Sequence, residues 1–184
     1  MKKKIVIAGV LVVLISVSTA GQGKYLTNNG YIRFYSHTVI EDITAENNKV
    51  ASVIDASSGE VAIIVTMSAF EFEKKLMQEH FNENYVESEK FPKATFNGII
   101  KNNSEVKYDS KGTYKVTVAG EMTIHGTTLP VSSEGTIVVT SSGIEAYTKF
   151  MLNPEDYNIK IPRVVRKNIS EKMEITAELK YLPM

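Results

Sequence analysis

The sequence predicts an all-β protein, an antiparallel barrel of about eight strands with one short helix (about 69–82) packed at one end. Three observations predict it. First, Tyr114, Val116, Val118, Gly120, Met122 and Ile124 alternate with Lys115, Thr117, Ala119, Glu121 and Thr123. That is the period-two signature of a strand with one dry and one wet face. Second, turn signals divide the chain into about eight such runs, the number at which a barrel interior just holds side chains or one small ligand. Third, the long run covers roughly 35 Å at ~3.3 Å per residue, and long strands suit a sheet that closes and so loses its edges.

The first main strand is Tyr31 to Ser36, with Ile32 and Phe34 inside and Asn28-Asn29-Gly30 as the turn before it. Glu41 to Asn47 is a weaker strand, Asn47-Asn48 turns the chain, and Val50 to Asp55 is another. Ser57-Ser58-Gly59 turns it again. In the strand Glu60 to Met67, Val61, Ile63, Val65 and Met67 share one face. Ala62 and Ile64 make the other face apolar too, so this strand is expected to be covered on both sides.

At Ser68 the period changes. Ser68-Ala69-Phe70-Glu71 matches a capping box, and a helix is expected from Ala69 to about Asn82. Phe70, Met77 and Phe81 fall on one face, widened by Phe72 and Leu76. That helix is either ordinary core or a plug at one mouth of the barrel. Pro92 sets an extended entry into the strand Ala94 to Lys101, and Asn102 to Gly112 is a polar hairpin loop. After the long strand, His125-Gly126-Thr127-Thr128 breaks the alternation. Leu129-Pro130-Val131 restarts an extended chain and Thr136 to Thr140 is the return strand. Ile144 to Leu152, with Phe150 in the inner register, and a closing strand through Met173, Ile175, Ala177 and Leu179 complete the set.

Gly120-Glu121-Met122-Thr123-Ile124-His125-Gly126-Thr127-Thr128-Leu129-Pro130-Val131 resembles the G-x-L-T-I-H-G-V-T-K-P-V signature of the YceI-like family. His80-Phe81-Asn82, Phe91-Pro92-Lys93-Ala94-Thr95-Phe96 and Asp156-Tyr157-Asn158-Ile159-Lys160-Ile161-Pro162 resemble further segments of it, in the right order. The first strand lacks the D-x-x-H-S start of many members. The resemblance implies a lipocalin-like barrel, secreted or periplasmic in bacteria, that holds a polyisoprenoid or other long-chain lipid.

The first twenty residues look like an export label. Lys2 to Lys4 form a charged start, Ile5 to Val17 is apolar but short for a membrane span, and Ser18-Thr19-Ala20 resembles a cleavage site. The expectation is a signal peptide at 1–20 and a single barrel domain at 21–184, periplasmic or secreted. There is no Cys, so stability rests on packing and no cysteine can carry a lipid anchor. The 21 basic and 21 acidic residues become 18 and 21 once the label is removed. That mildly acidic balance argues against nucleic acid as a partner. Oligomeric state stays open, a homodimer included.

Catalysis finds little support. His37, His80 and His125 lie on three separate elements without metal-ligand spacing, so no metal, cofactor or catalytic set is expected. What remains is apolar area. Ile32, Phe34, Ile63, Val65, Phe96, Val116, Val118, Met122 and Phe150, with Phe70, Met77 and Phe81 from the helix, are the candidate ligand-binding residues. His125 is read as bonding a turn carbonyl or else a headgroup, and Arg163 and Arg166 as a wet loop or else a headgroup contact. The function expected is non-catalytic binding, transport or sequestration of an isoprenoid or long-chain lipid, without stable membrane insertion. The rivals are a filled barrel serving as a structural or interaction module, a small outer-membrane barrel, and an enzyme.

Overall fold

The structure, a computed structural model, describes residues 23–184. The export label expected at residues 1–20 therefore lies outside the described residues. Among the described residues nine strands are present: β1 (Lys24–His37), β2 (Asp42–Asp55), β3 (Glu60–Thr66), a two-residue β4 (Glu71–Phe72), β5 (Lys93–Ile100), β6 (Gly112–Ile124), β7 (Thr127–Val139), β8 (Ile144–Leu152) and β9 (Met173–Pro183). All pairings are antiparallel, and β1 pairs with both β9 and β2, so eight strands close into a barrel. β4 adds a short tab to β2 opposite Ala45 and Glu46.

One end, the mouth, gathers the β1–β2 hairpin, the long β3–β5 crossover, the β6–β7 turn and the 153–172 connection. The other end is packed shut. Val50, Ile54, Ile100, Ile137 and Ile144 are all at most 2% exposed there. Tyr181, buried among them, donates to Ser52 Oγ at 2.8 Å, while Ser52 gives its own proton to the Ala62 carbonyl at 2.8 Å. Burial pushes the Tyr108 hydroxyl up to about 12 and raises that of Tyr181 as well.

Several local expectations need correction. Asn28-Asn29-Gly30 and Asn47-Asn48 are not turns; β1 and β2 each run straight through them. The β1–β2 register slips by one extra residue on β1 before Gly30, then by one on β2 before Asn47, so the pairing recovers. These are bulges, which add the local twist that closure needs. Asn47 is 1% exposed and stands in for lost ladder bonds, donating to the Thr66 carbonyl and accepting from Lys49 N.

The capping box does not form. Met67–Ala69 is a single 3-10 turn, Glu71 enters β4, and the helix α1 is only Lys75–His80, continued by a π-turn over Phe81–Tyr85. Phe70 and Phe72, two residues apart, both pack on Phe34 with ring centroids 5.7 and 5.6 Å away. Burying both rings on one side requires extended backbone, not helix. Ile64 is 42% exposed, so β3 is uncovered on its outer side: the crossover packs over the mouth instead of along the wall.

Candidate functional site

Inward alternation from the strands leaves a cavity of about 440 Å³ inside the barrel. All twelve candidate ligand-binding residues line it: Ile32 and Phe34 from β1, Ile63 and Val65 from β3, Phe96 from β5, Val116, Val118 and Met122 from β6, Phe150 from β8, and Phe70, Met77 and Phe81 from the crossover. The outward register carries Lys115, Glu121, Lys149, Glu174 and Glu178, and Glu174 pairs with both Lys149 and Arg33 on the outer wall. The wall is therefore polar outside and apolar inside, the reverse of a lipid-spanning barrel.

The mouth is built by packing. Phe34, Phe70, Phe72 and Phe81 form a cluster with centroid separations of 5.1 to 5.7 Å. Such ring pairs add about 0.5–1.5 kcal/mol each beyond their buried area. The cluster fastens α1 and the following π-turn across the opening. Phe72 N also donates to Gln78 Oε1, which ties β4 to α1.

The 153–172 connection forms the opposite rim. Ile159, Ile161, Val165 and Ile169 face the cavity, and only the first two belonged to a segment singled out by the sequence. Their apolar side chains punctuate an otherwise charged loop, and that pattern was the available signal. Glu41, His80 and Asn168 are the polar groups at the rim. Glu41 accepts from Lys74 Nζ at 2.9 Å and from Asn168 Nδ2 at 3.2 Å, joining the hairpin, the crossover and the connection. The Lys74 bond first, then that of Asn168, holds the Glu41 carboxyl below its usual range.

His125, Arg163 and Arg166 do not reach the cavity wall. His125 Nε2 lies 2.7 Å from Glu87 Oε2, and Nδ1 lies 3.3 Å from the Tyr157 carbonyl, with Phe91 against the ring at 4.4 Å. Glu87, His125 and Asn158 all have positive φ, and Asn158 Nδ2 donates to Thr127 Oγ1. The signature turn is thus a knot between three connections at the mouth. Gly126, at φ 74, has no room for a Cβ beside Phe91. Arg166 pairs with Glu155 at 2.6 Å, and Arg163 is exposed.

The ladder between β7 and β8 covers only Gly135–Val139 with Ile144–Thr148. Beyond it, Ser133 and Thr148 hydroxyls meet at 2.8 Å, and the buried Pro154 and Tyr157 of the connection fill the seam.

A closed antiparallel barrel with an apolar lumen under a partial lid belongs to the class of small internal-cavity barrels. The family model of the YceI-like domain matches residues 25–181, and the chain belongs to that family. No curated protein matches the chain significantly. Among solved structures, a polyisoprenoid binding domain from Saccharophagus degradans, described as implicated in plant cell wall breakdown, is similar with a TM-score of 0.76 and 13% identity, over 89% of this chain and 99% of that one. BcnA of Burkholderia cenocepacia gives 0.68 and 14%, over 82% and 95%. A YCEI protein of Campylobacter jejuni gives 0.56 and 14%, over 100% and 99%. At these identities the likeness shows a shared fold.

Proposed function

We propose that this protein is an exported, non-catalytic carrier whose lumen shelters the chain of a polyisoprenoid or other long-chain amphiphile. The observation that carries the reading is the apolar cavity of about 440 Å³, a volume in the range of small-molecule sites. At ~30 Å³ per water-sized group, it takes about fifteen methylene-sized groups. Burying them gives roughly 12 kcal/mol gross at ~0.8 kcal/mol each. That exceeds most of the ~4–15 kcal/mol cost of association, so a chain that fills the lumen binds and a short one does not. Glu41, His80 and Asn168 offer polar partners at the rim, which suits an amphiphile with its head there.

The polyisoprenoid-binding name of one structural relative and the charged-then-apolar start of the chain support the ligand class and the export route. An open lumen argues against a filled barrel with a purely structural task. The test is solvent extraction and native mass spectrometry of protein purified without detergent. A bound lipid with a chain beyond about ten carbons is expected. Protein that carries no lipid and takes up no added long-chain prenol would overturn the proposal.

A further inference from the structure

The two most exposed large apolar residues of the barrel, Val39 and Val164, stand on the mouth connections; Met184 and Leu182, 73% and 64% exposed, lie at the closed end. Val39 is 101% and Ile40 57% exposed at the tip of the β1–β2 hairpin, and Val164 is 87% exposed on the 153–172 connection. Hairpin tips ordinarily carry Gly, Asn, Asp or Ser, because those residues suit the turn. Here Thr38 fixes the turn by itself, accepting from Ile40 N and Glu41 N and donating to the Glu41 carbonyl. The two β-branched side chains are not needed for the turn, yet both stand exposed to solvent.

The two loops form one surface. Asn168 bonds Glu41, and Ser170 N donates to Ser36 Oγ at 2.8 Å. Both tips border the lumen, since Glu41 and Val165, each next in sequence to an exposed tip, line the cavity. Charge is arranged around them. Residues 160–172 carry Lys160, Arg163, Arg166, Lys167 and Lys172 against the single Glu171. Arg166 is engaged by Glu155, but Lys160, Arg163, Lys167 and Lys172 are all exposed. Acidic groups line the crossover at Glu71, Glu73, Glu79 and Glu83; on the cationic side, Glu41, Asp42 and Glu155 are held by Lys74, His37 and Arg166, and Asp156 stands beside them.

We infer that the mouth docks on an anionic lipid bilayer, with Val39, Ile40 and Val164 entering the headgroup layer and the 160–172 cations meeting lipid phosphate. Apolar tips beside a basic arc are the chemistry of an interfacial anchor. The partner is a bilayer and not a second protein because the apolar residues are separate protruding tips, not a continuous flat patch, and because they ring the entrance to a lumen read as a lipid site. The inference rests on that reading for its purpose.

The experiment is co-sedimentation with phosphatidylcholine vesicles, with and without ~30 mol% phosphatidylglycerol. It compares the wild type with Ile40→Asp/Val164→Asp and with Lys160→Glu/Lys167→Glu. Uptake of N-phenyl-1-naphthylamine in vesicle-free buffer is measured in parallel. Binding of the wild type to anionic vesicles is expected to fall about tenfold on neutral ones or at high salt, and about tenfold in either variant. Dye uptake is expected to be equal in all three proteins, which also shows that the variants fold. Wild type that stays in the supernatant, or variants that sediment like it, would overturn the inference. So would self-association in vesicle-free buffer that the apolar variant abolishes, since a second copy would then own the surface. Vesicle docking without dye uptake in any protein would uphold the docking and sink the lumen reading alone.

Discussion

The sharpest consequence of an open lumen is that filling it should shorten the chain it accepts. Val118 points inward from β6, paired with Ile100 toward the closed end and with Ser133 on the other side. Val118→Trp adds about seven side-chain heavy atoms there, displacing about seven methylene-sized groups of ligand at ~30 Å³ each. At ~0.8 kcal/mol per methylene the upper bound on lost affinity is roughly 5–6 kcal/mol, and ligand rearrangement toward the mouth reduces this to about 3. Since 1.4 kcal/mol is tenfold, long chains should bind about a hundredfold more weakly. Chains of about ten carbons, just long enough to bind, should lose less than longer ones. Stability should hold or rise, because the new ring occupies space no atom fills. The assay is displacement of a fluorescent long-chain probe by prenols or fatty acids of graded length, with thermal melting alongside. A variant that melts like the wild type and binds every length equally would refute the reasoning, since the lumen would then not be where chains go.

Other expectations follow from the rest of the wall. Ser52→Ala strands the Ala62 carbonyl and the Tyr181 hydroxyl, whereas Tyr181→Phe leaves Ser52 still bonded to Ala62. The first should cost about 2 kcal/mol in urea unfolding and the second about 1, and equal losses would contradict the direction of the bonds. His125→Ala removes the link between Glu87 and the Tyr157 carbonyl and should cost about 1–2 kcal/mol while long-chain binding survives. Abolished binding in a stable variant would return His125 to the ligand site. Glu41 titrates below an ordinary glutamate, so its ties to Lys74 and Asn168 stabilise the mouth above the unfolded value and are lost as pH falls through the folded one. A carboxyl shift followed by NMR should show that low midpoint in the wild type and a rise toward the ordinary range in Lys74→Met, where the Asn168 bond remains. An ordinary midpoint in both would mean the three elements are not joined there.

The lumen was legible because alternation is a local property. Once Tyr114 to Ile124 reveals its dry face, Val116, Val118 and Met122 follow without knowledge of neighbouring strands. Strand breaks were less legible. Asn and Gly clusters mark turns and bulges alike, and only the register of the partner strand distinguishes Asn47 in a bulge from Asn47 in a turn. The helix start was misplaced because Ser68 and Glu71 satisfy a local pattern, while the Phe34 ring that draws Phe70 and Phe72 inward lies more than thirty residues away. Tertiary burial outweighed the cap. Val165 and Ile169 on the 153–172 rim were missed for a related reason: they follow no regular period, and their direction is set by the seam between β7 and β8 that the connection covers.

The pairing of β1 with β9 has a consequence for how the chain folds. Tyr25 sits opposite Pro183, and Met184 N donates to the Lys24 carbonyl at 2.9 Å. The hoop is fastened by its two most distant segments, so its slowest step should be a loop closure spanning nearly the whole described sequence. Until that clasp shuts, β1 and β9 both present raw edges on which another copy could pair. Loss of β9 would therefore do more than shorten the protein; it would turn a self-contained ring into a template for aggregation.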